Sequence, residues 1–343
     1  MVESYPGSKR QEECFMANDY IKTEKSTMYF IGVTTGKSSI MKVFPEWAKY
    51  LGIDALIKGF DFKLHDDAES YIEAVKFIKN DPLSMGALVT THKLDLLSAC
   101  RSEFDGLGPY AKELHEISSI SKRGNELWGH AKDPITVGLS FEAFLKDGYW
   151  AESGAEMLIL GAGGSSLALV TYLVERAKAG RDLPSRIIIN NRSQPRLIEL
   201  EKHLGHMAVN AGLSGLNFEF NLCPTAEDND AVVAELKEGS LVVNATGLGK
   251  DGPGSPLTDN VEFPVNGIVW EFNYRGDLVF LDQAKAQKGE KNLKIEDGWI
   301  YFIHGWTRVI AEVFHKDIPT RGPVFDELCR IAARTGAPAK AAG

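Results

Sequence analysis

The chain has 343 residues, of which 44% are hydrophobic and 25% charged, and a formal net charge of -9. That length allows two cores, since domains commonly hold on the order of 100 to 200 residues, and the composition excludes a disordered or fibrous chain. The acidic balance speaks against a general nucleic-acid binder, which would carry a basic face or tail, while leaving room for a small anionic substrate in a local basic pocket.

Residues 1–27 read as a polar arm. From Met28, MYFIGVTT is expected to be a strand, and Met41–Leu51 a helix with Val43, Phe44, Trp47, Tyr50 and Leu51 on one face. Between them, Gly36, Lys37 and Ser38 resemble the end of a nucleotide-binding P-loop, but Gly32 and Gly36 enclose one residue too few for that pattern. The loop reads instead as a polar turn, or as a place where Lys37, Ser38 and Ser39 hold a carboxylate at a helix entrance. A second strand is expected at Phe60–Leu64, an amphipathic helix at Ala68–Lys79, a turn at Asn80–Pro82 and a strand at Gly86–Thr90. A short helix at Leu139–Leu145 precedes Asp147 and Gly148, where the domain junction is placed. This βαβ rhythm predicts an open α/β domain over 28–148.

Met157–Leu160 is an apolar run of strand length, broken by Gly161, Gly163 and Gly164 ahead of a helical pattern at Leu167, Val170, Leu173, Val174 and Ala177. Strand, tight glycine turn and helix in that order describe a dinucleotide-binding turn. Its backbone can approach a pyrophosphate, to which the helix start offers unpaired NH groups and partial positive charge. Ser166 takes the place of the usual third small residue, and a purely structural glycine turn is the alternative. Strands at Arg186–Asn190, Asn217–Leu222, Leu241–Ala245 and Ile268–Phe272, with a helix at Asp230–Leu236, define a second, Rossmann-like domain over 149–296. Trp299–Phe314, apolar on most sides, is expected to be a buried helix. Residues 297–335 then pack back on the first domain and close the base of a cleft between the two.

Cys14, Cys100, Cys223 and Cys329 are far apart and make no CxxC pair or Cys/His cluster with metal-ligand spacing. No metal site is expected, and a reducing, cytoplasmic setting fits. The first residues have no apolar core of a signal peptide, and no later run has the length and apolarity of a membrane span.

With these elements in order, the chain resembles the shikimate and quinate dehydrogenase family over most of residues 29–320. The resemblance rests on GALVTTHK at 86–93, GHAKDPITVG at 129–138, GAGGSS at 161–166, NNRS at 190–193, NATGLG at 244–249 and WEFNY at 270–274. It implies an N-terminal substrate domain, a C-terminal NADP-binding domain and hydride transfer across the cleft. Interconverting a secondary alcohol and a ketone requires a hydride acceptor at one face of the carbon and a group that takes or gives the hydroxyl proton. The resemblance implies that Lys93 and Asp133 are that second group; read without it, they are solvated surface charges. Burial disfavours a charged lysine, whereas a neighbouring carboxylate favours it and orients the ammonium. The resemblance also puts Thr246 and Gly247 beside the nicotinamide and Tyr274 near the substrate.

The cofactor turn comprises Gly161, Gly163, Gly164 and Ser165. About 25 residues further on, where an NAD-specific domain places an acid for the ribose hydroxyls, the chain has Asn191, Arg192 and Ser193, with Arg196 a turn later. Forked, cationic guanidinium groups suit a 2′-phosphate, so NADP is the expected cofactor; a basic helix start on the surface is the alternative.

Several substrate positions depart from the family pattern. Its paired serines appear as Ser38 and Ile40, Leu88 replaces an asparagine, and the proline before the lysine is missing. Ser118 and Ser119 align with an asparagine and threonine pair, while Ala131 and Lys132 stand before Asp133. A glutamine of the final helix is absent: Gly305 or Trp306 falls there, with His304 adjacent as a replacement hydrogen-bonding group, although a helix histidine is commonly only packed. The expected substrate contacts are Ser38, Thr90, Ser118, Tyr274 and His304. The expected function is an NADP-dependent dehydrogenase acting on shikimate and 3-dehydroshikimate or on a related cyclitol, as a monomer or homodimer, without a nucleic-acid, membrane or metal partner. The alternatives are a non-catalytic dinucleotide or metabolite sensor and an NAD-using quinate dehydrogenase.

Overall fold

The computed structural model describes residues 20–213, 216–250 and 252–337. Residues 1–19 of the expected arm, Cys14 among them, and the tail beyond 337 lie outside the described residues.

The first half runs β1 (Thr27–Gly32), α1 (Ile40–Leu51), β2 (Leu56–Asp61), α2 (Ala68–Asn80), β3 (Ser84–Val89), α3 (Lys93–Cys100), β4 (Gly106–Leu107), α4 (Pro109–Leu114), β5 (Ser119–Arg123), β6 (Glu126–His130) and α5 (Asp133–Phe144). Its strands form one sheet in the order β2-β1-β3-β5-β6-β4. β1 pairs parallel with β2 and β3, and β5 pairs antiparallel with β3 and β6. The βαβ rhythm therefore describes only the first three strands. The β5–β6 hairpin has a weak apolar signal because charged and polar residues occupy its outer end, around Lys122, Arg123 and Glu126.

Two boundaries differ from expectation for local reasons. β2 starts four residues before the expected Phe60 and ends at Asp61, since it is an edge strand of which only Phe60 is buried. Its end is set by Asp61, whose carboxylate accepts from Thr35 N at 2.8 Å and from Thr35 Oγ1 at 2.5 Å. α5 starts well before Leu139, because Asp133 and Pro134 form its first turn, where the fixed φ and missing NH of proline are tolerated.

The second half runs α6 (Tyr149–Ser153), β7 (Met157–Leu160), α7 (Gly164–Lys178), β8 (Ile187–Asn191), α8 (Gln194–Asn210), β9 (Phe218–Leu222), α9 (Ala226–Ala234), β10 (Leu241–Asn244), β11 (Ile268–Glu271), α10 (Val279–Gln287) and β12 (Lys294–Glu296). The strands are parallel, in the order β12-β11-β10-β7-β8-β9. β7 and β10 are buried along their whole length, as expected of strands covered by helices on both faces. Strand order reverses at β7, so the C-terminal ends of β7, β8 and β10 frame the crevice where such sheets bind ligands.

α11 (Trp299–Val313) and α12 (Pro323–Gly336) return to the first sheet. They share a core with α1 and β1: Trp306 meets Phe30 edge to face at 4.9 Å, and Trp47 Nε1 donates to Leu328 O at 2.8 Å. α5 also joins the two halves, since Gly138 makes room for the Tyr172 ring of α7; a Cβ on Gly138 would stand 2.4 Å from that ring. The fold is thus α/β, an open mixed sheet and a Rossmann-like parallel sheet with a cleft between them. Among the described residues, no helix is long and apolar enough to cross a membrane.

Candidate active site

A cavity of about 580 Å³ opens between the two sheets. Ser38, Thr90, Lys93, Ser118 and Asp133 line it from the first sheet, and Ser165, Thr246 and Tyr274 from the second. α11 contributes Tyr301, Gly305 and Trp306.

Lys93 owes its direction to the two residues before it. Thr91 has φ 60, a left-handed conformation costing on the order of 1–3 kcal/mol for a non-glycine residue. His92, next in the chain, is buried, with its Nδ1 at 2.9 Å from the Tyr71 hydroxyl. This sharp, anchored turn brings Lys93 to Asp133, the first residue of α5, and the ammonium donates to the carboxylate in an ion pair 25% and 18% exposed. Burial pulls the Lys93 ammonium toward neutrality. The charges of Asp133 and Glu116, with the Asp133 hydrogen bond, outweigh it and hold the pKa above the ordinary lysine value.

Two ionisable neighbours of this pair escaped the sequence reading. Glu116, 4% exposed, stands just ahead of β5, where Ile117 N donates to Lys93 O at 3.3 Å. Burial pushes its carboxyl up to about 7; Lys93 opposes this, while the charge of Asp133 and a side-chain hydrogen bond with it add to the rise. Tyr301 has its pKa raised well above the usual phenol range by burial and then by the Asp133 and Glu116 charges. Neither had a sequence signal of its own: Glu116 stands among Lys112, Glu113 and His115, where an exposed charge is the ordinary reading.

Behind the cavity, Glu312 of α11 accepts from Lys132 Nζ at 2.7 Å and lies 3.0 Å from His130 Nε2. These contacts, the His130 hydrogen bond first, hold the Glu312 carboxyl well below the usual carboxylate range. They tie α11 to the β6–α5 turn that presents Asp133. Ser118 Oγ accepts from Lys132 N at 2.8 Å in the same turn.

His304 does not join the group. It is buried on the side of α11 that packs on α12, stacked on Phe325 at 4.4 Å, and burial lowers its pKa to about 4. The expectation that it stands in for the missing glutamine is corrected: a helix turns about 100° per residue, so Gly305 and Trp306 face the cavity while His304 faces the core.

The other expected residues lie along the C-terminal edge of the parallel sheet. Gly161 leaves β7 at φ 107, and a Cβ on it would stand 3.1 Å from Ala245 O, so only glycine fits this crossing. A Cβ on Gly163 would meet nothing within 4 Å, which leaves this side of the α7 start open. Asn191 Nδ2 donates to Ser193 O at 2.9 Å, Arg192 is exposed between them, and Arg196 in the first turn of α8 pairs with Glu199 at 3.0 Å. Thr246 Oγ1 donates to Asn244 Oδ1 at 2.6 Å, and Asn244 Nδ2 donates to the buried Glu271 at 2.5 Å, which braces the loop through Gly247. Burial pushes the Glu271 carboxyl up to about 8 although it accepts from Asn273 N, Asn244 and the Asn273 side chain. An open glycine turn at a helix start, with a guanidinium at the end of the next strand, is a donor set that fits a phosphorylated dinucleotide.

No family model matches the chain. It is similar to the shikimate dehydrogenase (NADP(+)) of Streptococcus thermophilus, 29% identical over 187 residues, which is 54% of this chain and 59% of that protein. The protein of the same name from Lactococcus lactis subsp. cremoris is 26% identical over 184 residues, 53% of this chain and 59% of its own length. The chain thus spans less than two thirds of the length of the curated relatives it matches. Among solved structures, shikimate dehydrogenase from Aquifex aeolicus superposes with a TM-score of 0.67 at 19% identity, covering 92% of this chain and 99% of that one. Shikimate 5-dehydrogenase from Thermus thermophilus in complex with NADP(H) and shikimate gives 0.63 at 20% identity, over 90% and 98%. Quinate dehydrogenase from Corynebacterium glutamicum in complex with NAD gives 0.65 at 16% identity, over 90% and 98%. The resemblance read in the motifs is therefore shown: the chain is similar in sequence to shikimate dehydrogenases over 54% of its residues, and in fold to shikimate and quinate dehydrogenases over about nine tenths of them.

Proposed function

We propose that the chain is an NADP-dependent oxidoreductase interconverting a secondary alcohol and a ketone on shikimate and 3-dehydroshikimate or on a related polyhydroxylated carbocycle. The observation that carries this reading is the Lys93–Asp133 ion pair, set in a cavity that Ser165 and Thr246 of the cofactor edge also line. The activity named for the Streptococcus and Lactococcus relatives supports it.

On this reading residues 28–148 bind the substrate, 149–296 bind NADP, and 297–335 close the cleft. Gly161, Gly163, Gly164 and Ser165 would hold the pyrophosphate, Asn191, Arg192, Ser193 and Arg196 the 2′-phosphate, and Thr246 and Gly247 the nicotinamide. The cofactor supplies the hydride acceptor or donor. The chain itself handles the proton. Asp133 accepts it from the substrate hydroxyl, and the Lys93 ammonium donates a hydrogen bond to the oxygen as its bond to carbon shortens. Ser38, Thr90, Ser118 and Tyr274 orient the ring through hydroxyls. The loss of several polar partners expected from the family favours a ring substituted differently from shikimate, because a site matched to hydroxyls rejects ligands that leave its groups unpaired. A cytoplasmic monomer or homodimer accords with this role.

The test is a substrate panel of shikimate, quinate and cyclitols with NADP and NAD side by side, followed at the nicotinamide absorbance. Reduction of NADP in preference to NAD by at least one member is expected. Binding of ligands with no reduction of either cofactor across the panel would sink the enzyme reading in favour of a sensor.

A further inference from the structure

Lys93 and Asp133 line the cavity, and a third ionisable side chain, Glu116, stands behind them; the proton chemistry above uses only the first two. Lys93 opens α3, Asp133 opens α5, and Glu116 comes from the segment between α4 and β5. Glu116 does not line the cavity; it stands behind the pair, nearly buried, one residue before Ile117, whose N donates to Lys93 O at 3.3 Å, and its carboxyl feels the charges of Lys93 and Asp133. Burying a third charge there costs several kcal/mol by order of magnitude, and an apolar side chain would serve the core better. A carboxyl beside a carboxylate is tolerated when one proton lies between them. On its other side, the Glu116 Oε2 lies 3.9 Å from where a Cβ on Gly164 would stand, at the start of α7, and a helix start favours negative charge. The groups facing Glu116 are therefore Lys93, Asp133, Tyr301 and the first turn of α7.

We propose that Glu116 is the proton station behind the Lys93–Asp133 pair: its carboxylate takes, through Asp133, the proton removed from the substrate hydroxyl, and its carboxylic acid returns that proton when the ketone is reduced. The proposal rests on the dehydrogenase reading. In alcohol oxidation the carbon loses a hydride to the nicotinamide and the oxygen loses a proton to Asp133; the proton moves on to Glu116, which restores the ion pair, and later leaves to solvent past the exposed start of α7, where Gly164 adjoins the Glu116 carboxyl. Glu116 acts only through Asp133 and is a positioning residue in that sense. Ionised Glu116 is needed for oxidation and neutral Glu116 for reduction. Oxidation kcat/KM should therefore rise with pH through a titration near pH 7, and reduction kcat/KM should fall through it.

The experiment compares the full-length protein with Glu116→Gln, which keeps shape and removes the titration, and with Glu116→Asp as the conservative rescue. The first readout needs no substrate: the side-chain NMR shift of isotope-labelled Lys93, followed against pH, should step near pH 7 in the wild type and lose that step in Glu116→Gln. The second is the pH profile of NADP reduction by whichever panel substrate turns over; its acid limb, about tenfold per pH unit, should vanish in Glu116→Gln and return in Glu116→Asp. Turnover by the wild type without the Lys93 step, or an acid limb that persists in Glu116→Gln, overturns the proton station alone. A Lys93 step with no turnover of any panel substrate overturns the dehydrogenase reading and the station with it.

Discussion

Burial pulls the Lys93 ammonium toward neutrality, and the charges of Asp133 and Glu116 outweigh it. Removing the ammonium leaves two carboxyls facing each other and the substrate oxygen without a donor. Lys93→Ala is therefore expected to lower kcat about 100-fold or more while the dissociation constant for NADP changes little; steady-state kinetics beside cofactor titration check this. Arg192 is exposed at the end of β8, where it has solvent on one side and the proposed 2′-phosphate on the other. Arg192→Ala should raise the KM for NADP about tenfold or more, as the loss of a charged hydrogen bond implies, and leave that for NAD nearly unchanged. Equal effects on both cofactors would count against the assignment. Arg192 was singled out by its spacing after the glycine turn, whereas Lys93 was singled out only by the family resemblance and otherwise reads as a solvated surface charge. Glu116 was not: it stands among Lys112, Glu113 and His115 like an ordinary surface charge, and its meaning comes from what folds against it.

At the scale of elements, α5 carries the site between two packing partners. Its first residue is Asp133, and Gly138 lets it lie close against α7, whose start holds the glycine turn. A methyl at position 138 would overlap the Tyr172 ring, so α5 must shift. Gly138→Ala is expected to cost about 1–3 kcal/mol of stability, read as a lower midpoint in urea, and to lower kcat as well, since Asp133 moves with its helix. An unchanged midpoint with full activity would show that the two helices have slack. Elements with continuous apolar runs, β7 and β10, agreed with the sequence reading to within a residue. The edge strand β2 and the polar-tipped β5–β6 hairpin did not, because edge pairing and half-buried surfaces leave a mixed composition that periodicity reads poorly.

Across the whole molecule, buried carboxyls on both sides of the cleft shape the dependence of stability on pH. Glu271 has a folded pKa of about 8 and Glu116 of about 7, against 4.5 for an ordinary glutamate. A folded state that keeps protons the unfolded chain has released loses stability as pH rises; the contribution is full below about pH 4.5 and is lost as pH climbs through 7 and 8. Glu312, held low, works in the opposite direction and loses its contribution in acid. Glu271→Gln keeps an acceptor for Asn244 and Asn273 and removes the titration, so its melting temperature should decline less steeply than the wild type's between pH 6 and 9; parallel curves would mean that Glu271 titrates normally.

The sequence by itself determined the α/β class, the parallel sheet and the glycine turn, because a strand, a turn and a helix that follow one another are written in contiguous residues. It also carried the motifs of the resemblance in their order. Only the tertiary structure decided which side chains share the cavity. The meeting of Glu116 with Lys93 and Asp133, the inward face of Gly305 and Trp306, and the retreat of His304 into the core follow from how α3, α5 and α11 pack. Burial and the charge of a neighbour exist only once distant segments lie side by side.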